Sequence, residues 1–162
     1  MQDVELWYHT RYAQANVTEP AKAGPVKGKT MLDDAKIHVK IKLSALWSAV
    51  MFCYVYGDIF GFFQPGKLQE LLEGKTPIGP TTQGKLLGFS TIMAIPSLMV
   101  FLPLVLKPTV NRWANIIVGA IYTVIILLTM RGAWNFYIFL GIIEVALTAL
   151  IVWYAWTWPS SP

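Results

Sequence analysis

Cysteine is nearly missing from this chain. Cys53 stands alone among 162 residues, which excludes an intramolecular disulfide and any Cys-x-x-Cys redox pair. Histidine is scarce too. His38 has no second histidine or cysteine at metal-ligand spacing, so it reads as a solvated interface residue and no metal site is expected. There is no Gly-rich phosphate loop, no His-Glu-x-x-His pair and no Gly-x-Ser-x-Gly elbow. No catalytic residue or cofactor is therefore assigned, and the reading leans away from an enzyme. The formal charge of +4 is spread over tail and loops without a dense basic block, so no nucleic-acid partner is expected.

What the chain has instead is apolar length. At 55% hydrophobic and 14% charged it lies on the membrane side of ordinary globular usage. Charges gather in the first 42 residues and in short connections, and the only acidic residues in the long apolar runs are Asp58 and Glu144. That pattern predicts an all-α integral membrane protein, a bundle of four transmembrane helices at about 43–63, 84–106, 111–130 and 134–158. The expected partner is the lipid bilayer.

Residues 1–32 read as a flexible, mostly polar tail ahead of a four-helix domain at 33–162. Met31 looks like a natural start for the folded part. Asn16-Val17-Thr18 matches a glycosylation sequon, a motif frequent by chance. Asp33 and Asp34 are good helix N-caps. Lys36 to Leu43 alternates polar and apolar residues, which normally argues for a strand. Because it runs straight into the first apolar stretch, a helix is preferred, with Lys40 and Lys42 snorkelling to water.

In the first span, Ser44, Trp47, Ser48, Met51, Tyr54 and Asp58 recur at three- and four-residue steps and share a face. Gln64-Pro65-Gly66 stops that helix, and Lys67 to Gly74 forms a short amphipathic helix lying on the membrane. Pro77, Gly79 and Pro80 make a turn, and Thr81 or Thr82 caps the second span. Gly84 and Gly88 form a small-x-x-x-small pair through which helices, including those of a second copy in a homo-oligomer, could approach closely. Pro96 and Pro103 should kink the second span and free carbonyls that need partners.

Asn111, Asn115, Gly119, Tyr122 and Thr129 lie near one face of the third span. Arg131-Gly132 ends it so close to the fourth that the two should form an antiparallel hairpin. Tyr137, Gly141, Glu144 and Thr148 share a stripe on the fourth, which closes on the aromatic cluster Trp153, Tyr154, Trp156 and Trp158. Four spans put both termini on one side, with Lys27, Lys29, Lys36, Lys40, Lys42, Lys107 and Arg112, against Lys67, Lys75, Lys85 and Arg131 on the other. The positive-inside rule then predicts cytoplasmic termini.

The residues Val39 to Trp47, Tyr56-Gly57-Asp58, Gly79 to Gly84, Leu106-Lys107-Pro108, Asn111-Arg112-Trp113, Phe139 to Glu144 and Trp153 to Trp156 carry a likeness. From Met31 onward the chain resembles an uncharacterised family of four-helix bacterial membrane proteins. That resemblance implies a multi-pass location in a bacterial inner membrane and transfers no site. In architecture alone the chain is similar to the DoxX-like group, some members of which are linked to quinone or thiol oxidation.

The candidate site is an intramembrane polar cluster of Tyr54, Asp58, Asn115, Tyr122, Tyr137 and Glu144. Three readings stay open. In the first the cluster stabilises the bundle, with Asp58 paired to Arg131 and Glu144 held by Tyr or Asn donors, or it binds a small partner. In the second Glu144 serves proton-coupled transport of a small solute or ion. In the third a quinone or lipid, a small hydrophobic ligand, sits among aromatics such as Trp47, Tyr54 and Trp134 in a redox-associated subunit.

Overall fold

The computed structural model describes residues 36–76 and 78–158. The expected tail, the sequon, the Asp33 and Asp34 caps and Pro77 of the expected turn lie outside the described residues. The alternating segment is helical, since α1 runs from Val39 to Gly61. His38 supplies its N-cap: its backbone is extended, and its ring Nδ1 accepts the Lys40 N–H at 3.2 Å. At about 1.5 Å per residue, 23 residues reach about 34 Å, enough for a hydrocarbon core of about 30 Å.

Past Gly61 the chain turns at Gly66, whose φ of 80° suits a residue without Cβ, into the short helix α2, Lys67–Leu72. None of its side chains is buried, and Leu68 and Leu72 are exposed. The expected turn is a miniature hairpin, β1 (Lys75–Thr76) paired antiparallel with β2 (Gly79–Pro80). Thr76 Oγ1 donates to the Gly79 carbonyl at 2.6 Å, and Lys85 Nζ donates to the Ile78 and Pro80 carbonyls, each at 2.9 Å. These bonds replace a ladder too short to stand alone.

Three further long helices follow: α3 (Gln83–Val105), α4 (Pro108–Thr129) and α5 (Asn135–Trp156). The Thr82 side chain caps α3, Pro108 opens α4 at the position where a missing N–H costs nothing, and Gly132 takes φ 74° in the turn to α5. All four long helices are long and apolar enough to cross a membrane. Their outward faces carry large exposed apolar side chains such as Phe101, Trp113, Leu127 and Phe139, as a surface solvated by lipid would.

α1 lies between α3 and α5, and α4 packs along α5 as the short turn requires. α3 meets α4 only sparsely although two residues join them. The core gathers Leu43, Trp47 and Val50 of α1 with Met99 and Ile151. Gly119 lets α4 and α5 approach closely: a Cβ there would lie 3.0 Å from Val152 Cγ2. At Gly141 a Cβ would meet Met130 Cγ and Sδ at 2.8 Å. The sequence pair Gly84 and Gly88 does not serve packing within the chain, because both are exposed and a Cβ on either would meet open space.

α3 continues through Pro96 and Pro103. Proline at 96 cannot donate to the Ile92 carbonyl, and the Tyr122 hydroxyl of α4 donates to that carbonyl instead. Asn111 Nδ2 donates to the Pro103 carbonyl at 2.6 Å, and Lys40 Nζ reaches the Leu106 carbonyl at 2.8 Å, so the end of α3 is satisfied by its neighbours.

Candidate functional site

The polar stripes do not form one cluster. Asn115 belongs to a closed structural network: Trp47 Nε1 donates to Asn115 Oδ1 at 2.8 Å, while Asn115 Nδ2 donates to Asn111 O and Oδ1 at 2.8 and 2.7 Å. Trp47, Asn111 and Asn115 are fully buried, so each bond satisfies a group with no access to solvent. Sequence periodicity placed Asn115 correctly on the inner face, but a stripe gives the direction of a side chain and not its depth. Asn115 lies seven residues before Tyr122, about 10 Å along the helix at 1.5 Å per residue.

The other five candidates do converge. Tyr54 and Asp58 of α1, Tyr122 of α4, and Tyr137 and Glu144 of α5 line one cavity of about 90 Å³. Its wall also includes Cys53 and Gly57, which sequence reasoning passed over although Gly57 falls three residues after Tyr54 on the same helical face. Ile92 and Met93 bring α3 to the cavity, so all four long helices contribute.

Within this wall the residues hold different positions. Glu144 is only 7% exposed, yet among the described residues its carboxylate accepts no hydrogen bond; the Thr148 hydroxyl bonds to the Glu144 backbone carbonyl at 3.0 Å. The expected Tyr or Asn donors are therefore not on it. The Tyr122 hydroxyl is committed to Ile92, and its ring stands edge-on to Trp47 with centroids 6.2 Å apart.

Asp58 is exposed at the mouth, where it also lines a larger vestibule of about 740 Å³ with Gln64, Lys67 and Trp134. Gly57, Thr129 and Tyr137 likewise line both spaces, so the vestibule beside α2 leads toward the inner cavity.

The expected Asp58–Arg131 ion pair is not formed. Among the described residues the ion pairs are Lys67–Glu70 at 3.5 Å and Lys75–Glu73 at 2.6 Å, and Arg131 is exposed on the turn after α4. Glu73, outside the long helices, has its carboxyl held below the usual range by the hydrogen bond from Lys75 and then by that from Gln69. Nor do Trp47, Tyr54 and Trp134 gather around one ligand site: Trp47 is bonded to Asn115, Tyr54 lines the inner cavity and Trp134 lines the vestibule. Among the described residues no group of three or more His, Cys, Asp or Glu side chains could hold a metal ion.

Comparison with protein families matches residues 33–161 to a family of unknown function, DUF6326. The chain belongs to this family. The matched segment holds all four long helices and every residue of the cavity wall. No curated protein and no solved structure matches the chain.

Proposed function

We propose that this member of the DUF6326 family is a small polytopic membrane protein that binds a small partner in the cavity around Glu144, reached through the vestibule beside α2. The observation that carries this reading is the state of Glu144: a carboxylate on a 7% exposed residue, beside an internal cavity and without a hydrogen-bond partner among the described residues. Intramembrane acids that serve packing pair with neighbouring helices, whereas Glu144 lines the cavity and has no such pair among the described residues. Packing is served elsewhere, by the Trp47–Asn115–Asn111 network.

Proton-coupled transport is the second reading, favoured by one further observation. Asp58 lines both the vestibule and the inner cavity, which makes it a natural intermediate station on the way to Glu144.

Cys53, the sole cysteine, lines the cavity and provides a native reporter of access. In proteoliposomes a small hydrophilic thiosulfonate should modify Cys53, and Gly57→Leu, which adds bulk to the shared wall, should slow the reaction. A native protein whose Cys53 reacts only after denaturation would sink the binding reading.

A further inference from the structure

We infer that the partner is a small organic monocation whose ammonium head sits in the inner cavity, with Glu144 as counter-ion and the rings of Tyr54, Tyr122 and Tyr137 as walls. This rests on the binding reading above and adds the chemical class of the ligand.

The charge balance of the wall comes first. Among the described residues, two of its side chains are carboxylates, Asp58 and Glu144, and none is Lys, Arg or His. An anion would meet only like charge there. A neutral ligand would offer no opposite charge to the Asp58 and Glu144 carboxylates of the wall. A cation supplies the missing partner.

The nature of the cation follows from the remaining donors. A divalent metal ion seeks six or more oxygen ligands, and among the described residues no group of three or more His, Cys, Asp or Glu side chains is placed to hold one. The wall offers aromatic side chains instead. Three tyrosines line it, and a weakly hydrated ammonium over tyrosine rings gains cation–π attraction that a strongly hydrated inorganic ion forgoes when it keeps its water. The Tyr122 hydroxyl, spent on the Ile92 carbonyl, leaves that side chain to act through its ring.

Size agrees. A cavity of about 90 Å³ is several times the ~10–15 Å³ that admits a single water, room for a small methylated ammonium head. A substituent on that head would extend past Asp58 into the 740 Å³ vestibule. Among the described residues the one basic side chain lining that outer space, Lys67, is already paired with Glu70 at 3.5 Å.

The test uses the full-length protein in lipid nanodiscs with choline and its uncharged isostere 3,3-dimethylbutan-1-ol. Choline should bind saturably, and both the isostere and the Glu144→Gln variant should lose about tenfold or more in affinity, the loss that about 1.4 kcal/mol produces. Tyr137→Leu should weaken choline while Tyr137→Phe, which keeps the ring, should not. Equal binding of choline and the isostere would overturn the cation assignment and leave the cavity a binding site; no saturable choline binding would overturn it as well.

A second arm needs no variant. A trimethylammonium thiosulfonate should modify native Cys53 faster than a sulfonate thiosulfonate, and choline should protect against it. Equal rates would reject the cation inference alone, whereas no reaction with either reagent would reject the underlying binding reading.

Discussion

Tyr122 and Pro96 act as a pair across the seam between α3 and α4. The proline removes the donor that the Ile92 carbonyl would have within the helix, and the tyrosine hydroxyl replaces it. Tyr122→Phe should therefore lower stability in detergent by about 1 kcal/mol, the usual scale of an interhelical hydrogen bond. Pro96→Ala restores the N–H, so the same tyrosine change should cost much less in that background. A double-mutant cycle on thermal unfolding reads this coupling, and an equal cost in both backgrounds would refute the pairing.

Asn115→Leu should be harsher. It leaves the fully buried Trp47 N–H without its acceptor, at about 1–3 kcal/mol. At the surface, Glu73 should titrate below a free glutamate and Lys75→Ala should move it back up, measured by carboxyl NMR. Because the folded value is depressed, the hairpin's small gain from this pair is present at neutral pH and is lost as pH falls through the titration of folded Glu73.

At the scale of elements, four apolar runs long enough to make crossing helices are legible in the sequence, because length and hydropathy set such a helix. α1 was expected from about Leu43 and begins at Val39; α5 was expected from about Trp134 and begins at Asn135. Which glycines serve packing could not be read. Gly84 and Gly88 have the Gly-x-x-x-Gly spacing but face open space, while Gly119 and Gly141, neither of which has a glycine four residues away, sit against Val152 and Met130. Spacing along one helix says nothing about which neighbour lies opposite.

Gly119→Ala should accordingly destabilise by about 1–3 kcal/mol through overpacking. Gly84→Ala and Gly88→Ala should be neutral or slightly stabilising in a monomer, since alanine is the better helix former. Melting curves of the three variants check this, and a large loss at Gly84 or Gly88 would mean that the exposed face of α3 packs on a second copy.

For the whole molecule, the inward direction of the polar stripes was legible, and five of the six candidate residues do share a cavity. Their division into two polar regions was not. Asn115 joins Trp47 and Asn111 near the α3–α4 turn, whereas Glu144 and the tyrosines line the space that opens toward α2. Nothing in a single helical pattern fixes how four helices slide past one another, and that offset decides which stripes meet.

The proposed binding role implies a division of labour in which the asparagine network holds helices together and Glu144 serves the partner. The melting temperature of Glu144→Gln in detergent tests this most directly. Glutamine keeps the shape and removes the charge, so with no hydrogen bond to lose from the described residues the variant should melt at or above the native temperature. A fall of about 4 °C or more, corresponding to a loss of about 1 kcal/mol or more, would contradict the account by showing that the carboxylate holds the fold together.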